Sequence, residues 1–126
     1  FGGNPVSAAA AIAVFEQIEK HNLLAEAVRI ESVLKTGLVE LQKKYPVIGD
    51  VRGIGAMIAI ELVEPGTHKP NAAAVGAISA YAAQHGVLLL TAGTYGNVLR
   101  FLPSLAISNE LLEDALTVLD EALASL

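Results

Sequence analysis

The residue best suited to chemistry is Arg100, which stands in the apolar segment VLRFL of residues 98–102. In an extended strand, the side chain of Arg100 shares a face with Val98 and Leu102. An unpaired charge in such surroundings is unfavourable, and the donor fork of a guanidinium suits a carboxylate. The partner is therefore an acid of the chain, water at an exposed sheet edge, or a ligand carboxylate. The preceding loop GTYGN (residues 93–97) contains two glycines and two hydroxyls, as binding loops often do, and favours the ligand.

A second candidate region surrounds Gly53 and Gly55, which have half of the spacing of a dinucleotide-binding turn. A strand rather than a helix follows them, so the pair predicts a bend or a bulge. Arg52 precedes the bend and is expected to bind a carboxylate or a main-chain carbonyl. The acids available to Arg52 or Arg100 are Asp50 and Glu61, and the sequence leaves the pairing open.

Two further patterns, a helix start and three histidines, carry weaker signals. Residues 2–5 (GGNP) could form an anion-binding helix N-terminus, although most capped helices bind nothing. The histidines have no metal-ligand spacing, and no Ser-His-Asp, paired-carboxylate or phosphate-loop pattern is present. We therefore expect no metal site and structural roles for the histidines, which are His21, His68 and His85.

Helical periodicity and cap residues predict four helices. The first is apolar on nearly every side, so we expect a neighbouring domain or subunit to cover it. The helices are residues 5–20, opened by Asn4; residues 23–44, capped near Asn22; the segment from Asn71 to Gly86; and the segment after Ser108. The last helix has a predicted buried stripe of Leu112, Leu116, Leu119, Leu123 and Leu126.

Four strands are predicted between these helices, at residues 47–53, 56–63, 87–91 and 98–102. The second alternates, with Ile58, Ile60 and Leu62 on one face. The third is an unbroken apolar run, which predicts a central strand. The order α-α-β-β-α-β-β-α, with two pairs of closely connected strands, indicates an α/β (α+β) fold. Its sheet would be mostly antiparallel, with three or four strands and helices packed on it.

Composition limits the possible classes of function. The chain has 126 residues, which suits one domain over residues 1–126, with 53% hydrophobic and 17% charged residues. The formal net charge is -5, so we expect no surface that binds a nucleic-acid backbone. The absence of cysteine excludes disulfides and fits a cytoplasmic location. The apolar runs are too short to span a membrane, so we expect no membrane partner.

Several motifs together resemble one enzyme family. Residues 1–5 (FGGNP), followed by an Ala-rich helix, resemble the Gly-Gly-Asn-Pro segment of class III aminotransferases. Residues 50–57 (DVRGIGAM) resemble their V-R-G-x-G-x-M stretch. Residues 68–71 (HKPN) and 93–103 (GTYGNVLRFLP) look specifically like 4-aminobutyrate aminotransferases, and residues 107–111 (ISNEL) match as well. The resemblance covers essentially the whole chain.

This resemblance implies the C-terminal small domain of a fold-type I transferase that uses pyridoxal 5'-phosphate. Such enzymes are dimers or tetramers that transfer the amino group of an ω-amino acid to 2-oxoglutarate. By resemblance, Arg100 binds the α-carboxylate of glutamate or 2-oxoglutarate. The implied partners are these small molecules, the protein's own large domain and a second subunit.

The resemblance also implies what lies outside this chain. The opening at Phe1 looks like the middle of a loop, so we expect the chain to belong to a longer protein. The lysine that binds the cofactor covalently, the aspartate beside its ring nitrogen and a threonine near its phosphate would all lie upstream. We therefore expect no catalytic residue in residues 1–126, with Gly2 and Gly3 only as possible loop neighbours of the cofactor. The chain alone is expected to be inactive and not to bind the cofactor stably.

Other functions fit the same residues. Another class III ω-aminotransferase, specific for 5-aminovalerate or of the ornithine type, would carry the same motifs. A stand-alone regulatory α/β module could use Arg100 to hold a small carboxylate. An interaction domain would need no ligand at all.

Overall fold

Four helices and four strands follow one another in the predicted order in a computed structural model, which describes residues 2–126. Their bounds agree with the sequence patterns to within a few residues at most ends. The helices are α1 (Pro5–Lys20), α2 (Leu23–Lys44), α3 (Ala72–Gln84) and α4 (Asn109–Ala124). The strands are β1 (Ile48–Ile54), β2 (Met57–Leu62), β3 (Leu90–Ala92) and β4 (Val98–Phe101).

The four strands form one sheet in the order β1-β2-β4-β3, and every neighbouring pair is antiparallel. Helices α2 and α3 pack on the sheet, and α4 packs on α2 and α3. The buried side chains of these helices and of the strands form one cluster. The expected antiparallel sheet with helices packed on it is therefore confirmed.

Strand β2 shows how alternation divides the sheet into two faces. Ile58, Ile60 and Leu62 are fully buried in the core, whereas Met57 on the opposite face is half exposed. Burying side chains of this size stabilises the fold by roughly 1.5–3 kcal/mol each. We call the side of Ile58 and Ile60 the core face, because its side chains belong to the buried cluster formed with the helices, and the other side the open face.

Side-chain caps begin three of the helices, as the sequence predicts. The side chains of Asn4, Asn71 and Ser108 each accept a hydrogen bond from a main-chain N–H in the first turn. The side-chain cap predicted near Asn22 is wrong: Asn22 lies at the start of α2 but makes no side-chain cap bond. It adopts a left-handed φ of 49°, which asparagine tolerates better than most residues, so it turns the chain between α1 and α2.

Two further sequence predictions are wrong. Residues 87–91 do not form a central strand: β3 starts only at Leu90, has three residues and lies at the sheet edge. The main-chain N–H of Val87 donates to the carbonyl of Ala82, so this segment closes the end of α3 before it reaches the sheet. Leu88 is consequently 86% exposed. Leu126 is also exposed rather than part of the buried stripe, because it lies beyond the end of α4.

Helix α1 buries none of its residues, although it is more apolar than α2. Val6 and Phe15 are 76% and 68% exposed. An apolar helix in this state is expected to be covered by another domain or subunit. None of the helices in the described residues is long and apolar enough to cross a membrane.

Candidate functional site: an unpaired arginine on the open face

Arg100 lies on the open face of the sheet, in a row of four residues that crosses all four strands. Ala59 is paired with Arg52 on one side and with Arg100 on the other, and Arg100 is paired with Leu90. Directly opposed residues of antiparallel strands project to the same face. The neighbours of Arg100 along β4, Leu99 and Phe101, are buried and belong to the core face. The open face therefore carries two guanidinium groups with one small residue between them.

Arg100 makes no ion pair with any of residues 2–126, and its buried Nε has no hydrogen-bond partner among them. A cavity of about 440 Å³ lies between the sheet edge, residues 85–90 and α4; Arg100 is in its lining, but core residues such as Leu34 and Leu112 place much of this cavity on the core side of the sheet. Its one carboxylate-bearing lining residue, Asp114, is not within ion-pair distance of Arg100. A partly buried guanidinium without a counter-ion is unfavourable unless another group supplies one. Within the described residues, the guanidinium of Arg100 is thus left without a counter-ion.

Arg52, at the other end of the row, has both of the acids that the sequence offered. Its Nη1 donates to Asp50 Oδ2 and to Glu61 Oε2, each at 2.7 Å. The hydrogen bond with Asp50 in the first place, and that with Glu61, raise the pKa of Arg52. The prediction that Arg52 pairs with a carboxylate is confirmed, and the open question about Asp50 and Glu61 is settled in favour of Arg52.

The loop of residues 93–97 forms the connection between β3 and β4. Its tip is exposed at Tyr95, and none of its residues lines the cavity beside Arg100. Its last residue, Asn97, is only 2% exposed and donates from Nδ2 to the Leu62 carbonyl and to Glu61 Oε1. Sequence reasoning missed Asn97, because a loop asparagine next to glycines predicts a turn residue rather than a buried one.

The bend before β2 is held by helix α2. The Glu31 carboxylate accepts a hydrogen bond of 2.6 Å from the main-chain N–H of Gly55, and Lys35 Nζ donates to the Gly53 carbonyl at 3.0 Å. The bond from Gly55, and then Lys35, lower the pKa of Glu31. Gly53 has a φ of 140°, and an added Cβ would lie 2.2 Å from the Met57 carbonyl oxygen. The predicted bend is therefore confirmed, and it requires glycine at position 53.

The residues suggested as loop neighbours of a cofactor form no enclosed site within residues 2–126. Gly2 and Gly3 are exposed, and a Cβ added at either would meet nothing within 4 Å. Phe1 lies outside the described residues. No group of three His, Cys, Asp or Glu residues between positions 2 and 126 could hold a metal ion.

The lysines do not fit a covalent cofactor site either. None of them lines the cavity beside Arg100. Lys35, Lys43, Lys44 and Lys69 each bind a carboxylate of the chain, and Lys20 lies at the exposed end of α1. Residues 2–126 thus offer a candidate anion-binding residue but no lysine placed to hold pyridoxal phosphate.

Comparison with known proteins identifies the family of this chain. The sequence matches the family described as Aminotransferase class-III over residues 1–123, so the chain belongs to the class III aminotransferases. It is 49% identical over its full length to the 5-aminovalerate aminotransferase DavT of Pseudomonas putida, of which it covers 30%. It is 46% identical to the 4-aminobutyrate aminotransferase of Mycobacterium leprae, with 98% of this chain and 28% of that protein covered. The chain therefore spans about three tenths of the length of these relatives.

Solved structures support the same assignment. A phospholyase from Arthrobacter, in complex with phosphoethanolamine, superposes with a TM-score of 0.92 and 31% identity, covering 98% of this chain and 30% of that one. An amine transaminase from an uncultivated Pseudomonas species, in its PLP-bound form, gives a TM-score of 0.86 at 31% identity, covering 98% of this chain and 28% of that one. A lyase and a transaminase share this fold, so the fold alone does not define the reaction.

Proposed function

We propose that this chain is the C-terminal part of a 4-aminobutyrate–2-oxoglutarate transaminase, in which Arg100 binds the α-carboxylate of 2-oxoglutarate and of the glutamate formed from it. In the whole protein the amino group of an ω-amino acid is transferred to 2-oxoglutarate. Pyridoxal phosphate, held by residues outside this chain, supplies the electron sink for that transfer. The chain's own contribution is to bind and orient one substrate carboxylate.

The observation that carries this proposal is the contrast between the two arginines of the open face. Arg52 is neutralised by two carboxylates of its own chain, whereas Arg100 has none among the described residues. A guanidinium and a carboxylate form two parallel charge-assisted hydrogen bonds, which fix orientation as well as affinity. Such a contact contributes roughly 1.5–3 kcal/mol.

The proposal also assigns the partners of this chain. The large domain and a second subunit would cover α1, whose exposed Val6, Ile12 and Phe15 favour burial. They would also close the open face around Arg100, where water would otherwise compete for the guanidinium. Chemistry at the cofactor then depends on those parts, so we expect the isolated chain to be inactive.

A second amino donor has specific support. The relative named 5-aminovalerate aminotransferase matches all of this chain at 49% identity, slightly above the 4-aminobutyrate enzymes at 46% and 45%. Both donors carry one carboxylate and differ by one methylene. A methylene changes specificity by about 1–3 kcal/mol at most. The ratio of kcat/KM for 5-aminovalerate and 4-aminobutyrate in the full-length enzyme decides between the two donors.

The role of Arg100 is tested with Arg100→Lys in the full-length enzyme and with Arg52→Lys as the matched control on the same face. Lysine keeps the charge but loses the planar fork, so we expect KM for 2-oxoglutarate to rise about tenfold or more. KM for the amino donor, which has no α-carboxylate, should remain near the wild-type value. Arg52→Lys should change neither of these two KM values. Equal increases for both substrates in Arg100→Lys would contradict the assignment, because they would indicate a general loss of structure.

Dependence on the rest of the protein is tested by adding pyridoxal phosphate to the isolated chain. We expect no absorption band of a lysine–cofactor adduct that survives dialysis, since the four ion-paired lysines and the exposed Lys20 all lie outside the cavity beside Arg100. A stable, stoichiometric adduct that also transaminates would contradict the proposal that the catalytic lysine lies elsewhere.

A further inference from the structure

Asn97 is the one buried polar residue among residues 2–126, at 2% exposure. A primary amide in the interior is unfavourable unless its donors find partners. Both donor contacts of Asn97 are made at the end of β2: Nδ2 lies 3.0 Å from the Leu62 carbonyl oxygen and 3.2 Å from Glu61 Oε1. The main-chain carbonyl of Asn97 also accepts from the N–H of Leu62 at 2.7 Å. Asn97 therefore joins β2 through side chain and main chain together.

This junction lies at the first rung of the ladder that carries Arg100. After Asn97, the pairs run from Glu61 with Val98 to Ala59 with Arg100. A shift of one residue in this register would turn the side chain of Arg100 to the core face. Asn97 lies three residues before Arg100, at the end of the β2–β4 pairing that places the guanidinium on the open face.

The same junction links the two arginines of the open face. Glu61 binds Arg52 through Oε2 and Asn97 through Oε1. The Leu62 carbonyl accepts from the main-chain N–H of Asn71, which caps α3, as well as from Asn97. The start of β4 is thus fixed to β2 and to the beginning of α3 by one connected set of hydrogen bonds.

We propose that Asn97 is a positioning residue for substrate recognition: it fixes the start of β4 and so sets the guanidinium of Arg100 for the α-carboxylate of 2-oxoglutarate. The inference rests on the proposed function of Arg100. Asn97 itself does not touch the substrate. Its loss should therefore impair the half-reaction that uses the α-carboxylate and spare the half-reaction that uses the ω-amino donor.

The test uses Asn97→Asp in the full-length enzyme. Aspartate has nearly the same shape, but it donates no hydrogen bond and places a negative charge against Glu61 and the Leu62 carbonyl. We expect KM for 2-oxoglutarate to rise about tenfold, as expected for loss of one charged hydrogen bond. KM and kcat of the amino-donor half-reaction should stay within about twofold of wild type, since a small loss of stability alone does not change transition-state binding.

Leu119→Ala is the matched control, because Leu119 is buried in α4 and away from the open face. It should lower the melting temperature at least as much as Asn97→Asp while leaving KM for 2-oxoglutarate unchanged. An Asn97→Asp enzyme that behaves like Leu119→Ala, or that loses affinity for both substrates equally, would overturn the inference.

Two changes at Glu61 keep the test decisive where the Asn97 variant does not fold. Glu61→Gln retains an acceptor for Asn97 and should leave KM for 2-oxoglutarate unchanged. Glu61→Ala removes that acceptor and should raise KM for 2-oxoglutarate by up to about tenfold, as expected for one lost hydrogen bond to a charged group. Identical KM values for the two variants would overturn the role of the junction.

Arg100→Lys separates this inference from the proposed function. A selective rise in KM for Arg100→Lys, without one for Asn97→Asp, refutes only the role of Asn97. No selective rise for Arg100→Lys refutes the proposed function itself.

Discussion

Arg52 and Arg100 occupy equivalent places on either side of Ala59 in one cross-strand row, yet their surroundings are opposite. Arg52 binds Asp50 and Glu61 and remains 47% exposed at its side chain. Arg100 has a buried Nε without a partner and adjoins a cavity, and no acid of residues 2–126 forms an ion pair with it. Arg52 is thus satisfied by its own chain and ties β1 to β2. No acid among residues 2–126 pairs with Arg100, and the proposal that it binds a ligand carboxylate rests on this observation.

The strand between them sharpens the comparison, because Ala59 faces the arginines while the next residue, Ile60, is fully buried on the core face. Ile60→Ala should lower stability by about 2–5 kcal/mol, the usual range for such a cavity. A thermal melt of the full-length enzyme should record a larger stability loss for this change than for removal of either arginine. The relative KM values for 2-oxoglutarate and the amino donor should be unchanged in the enzyme that remains folded. A selective change in 2-oxoglutarate KM would show that the two faces are not independent.

Replacing each arginine by alanine tests directly whether the two differ in their internal partners. Arg52→Ala should reduce stability by up to about 1 kcal/mol, as expected for an exposed ion pair, and leave 2-oxoglutarate binding unchanged. Arg100→Ala should not reduce stability, because no internal ion pair among residues 2–126 is lost. Melting curves and substrate titrations of the two variants provide both readouts. A larger stability loss in Arg100→Ala than in Arg52→Ala would mean that Arg100 has an internal partner in the whole protein.

The bend that follows Arg52 is expected to show a smaller effect, a pH-dependent change in local stability. The N–H of Gly55 and then Lys35 lower the pKa of Glu31, so Glu31 stabilises the bend while it is ionised. This contribution is present above the unfolded-state pKa of about 4.3 and is lost as pH falls through the lower folded-state pKa. Hydrogen exchange of residues 54–57 should be faster in Glu31→Gln than in wild type at neutral pH. The difference should shrink towards acid pH, and a difference that grows there would contradict this role.

The sequence predicted the fold well wherever local signals agree with one another. Asn4, Asn71 and Ser108 combine a cap residue with a following helical pattern, and all three form side-chain caps. Alternation in β2 separates the core face from the open face as expected. The apolar run at residues 87–91 led to the wrong prediction of a central strand. An unbroken apolar run does not show whether a segment is buried in the sheet or exposed at its edge. Its exposed Leu88 shows where the chain's own core ends.

The candidate site was only partly visible in the sequence. Arg100 could be selected because a charge in an apolar strand is unusual, and Arg52 because acids lie close to it in the chain. The pairing of Glu61 with Arg52, and its link to Asn97, depend on strand register, which residue types alone do not specify. The motifs of the family identified the class, and the geometry added which side chains remain unpaired.

The central claim is tested most directly by a crystal structure of the full-length enzyme with 2-oxoglutarate bound. The account predicts two hydrogen bonds of about 2.7–2.9 Å between the Arg100 guanidinium and the α-carboxylate of the substrate. Asn97 should still bind Glu61 and the Leu62 carbonyl, and Arg52 should remain with Asp50 and Glu61. Arg100 paired with an Asp or Glu of the protein while the α-carboxylate binds elsewhere would contradict the account.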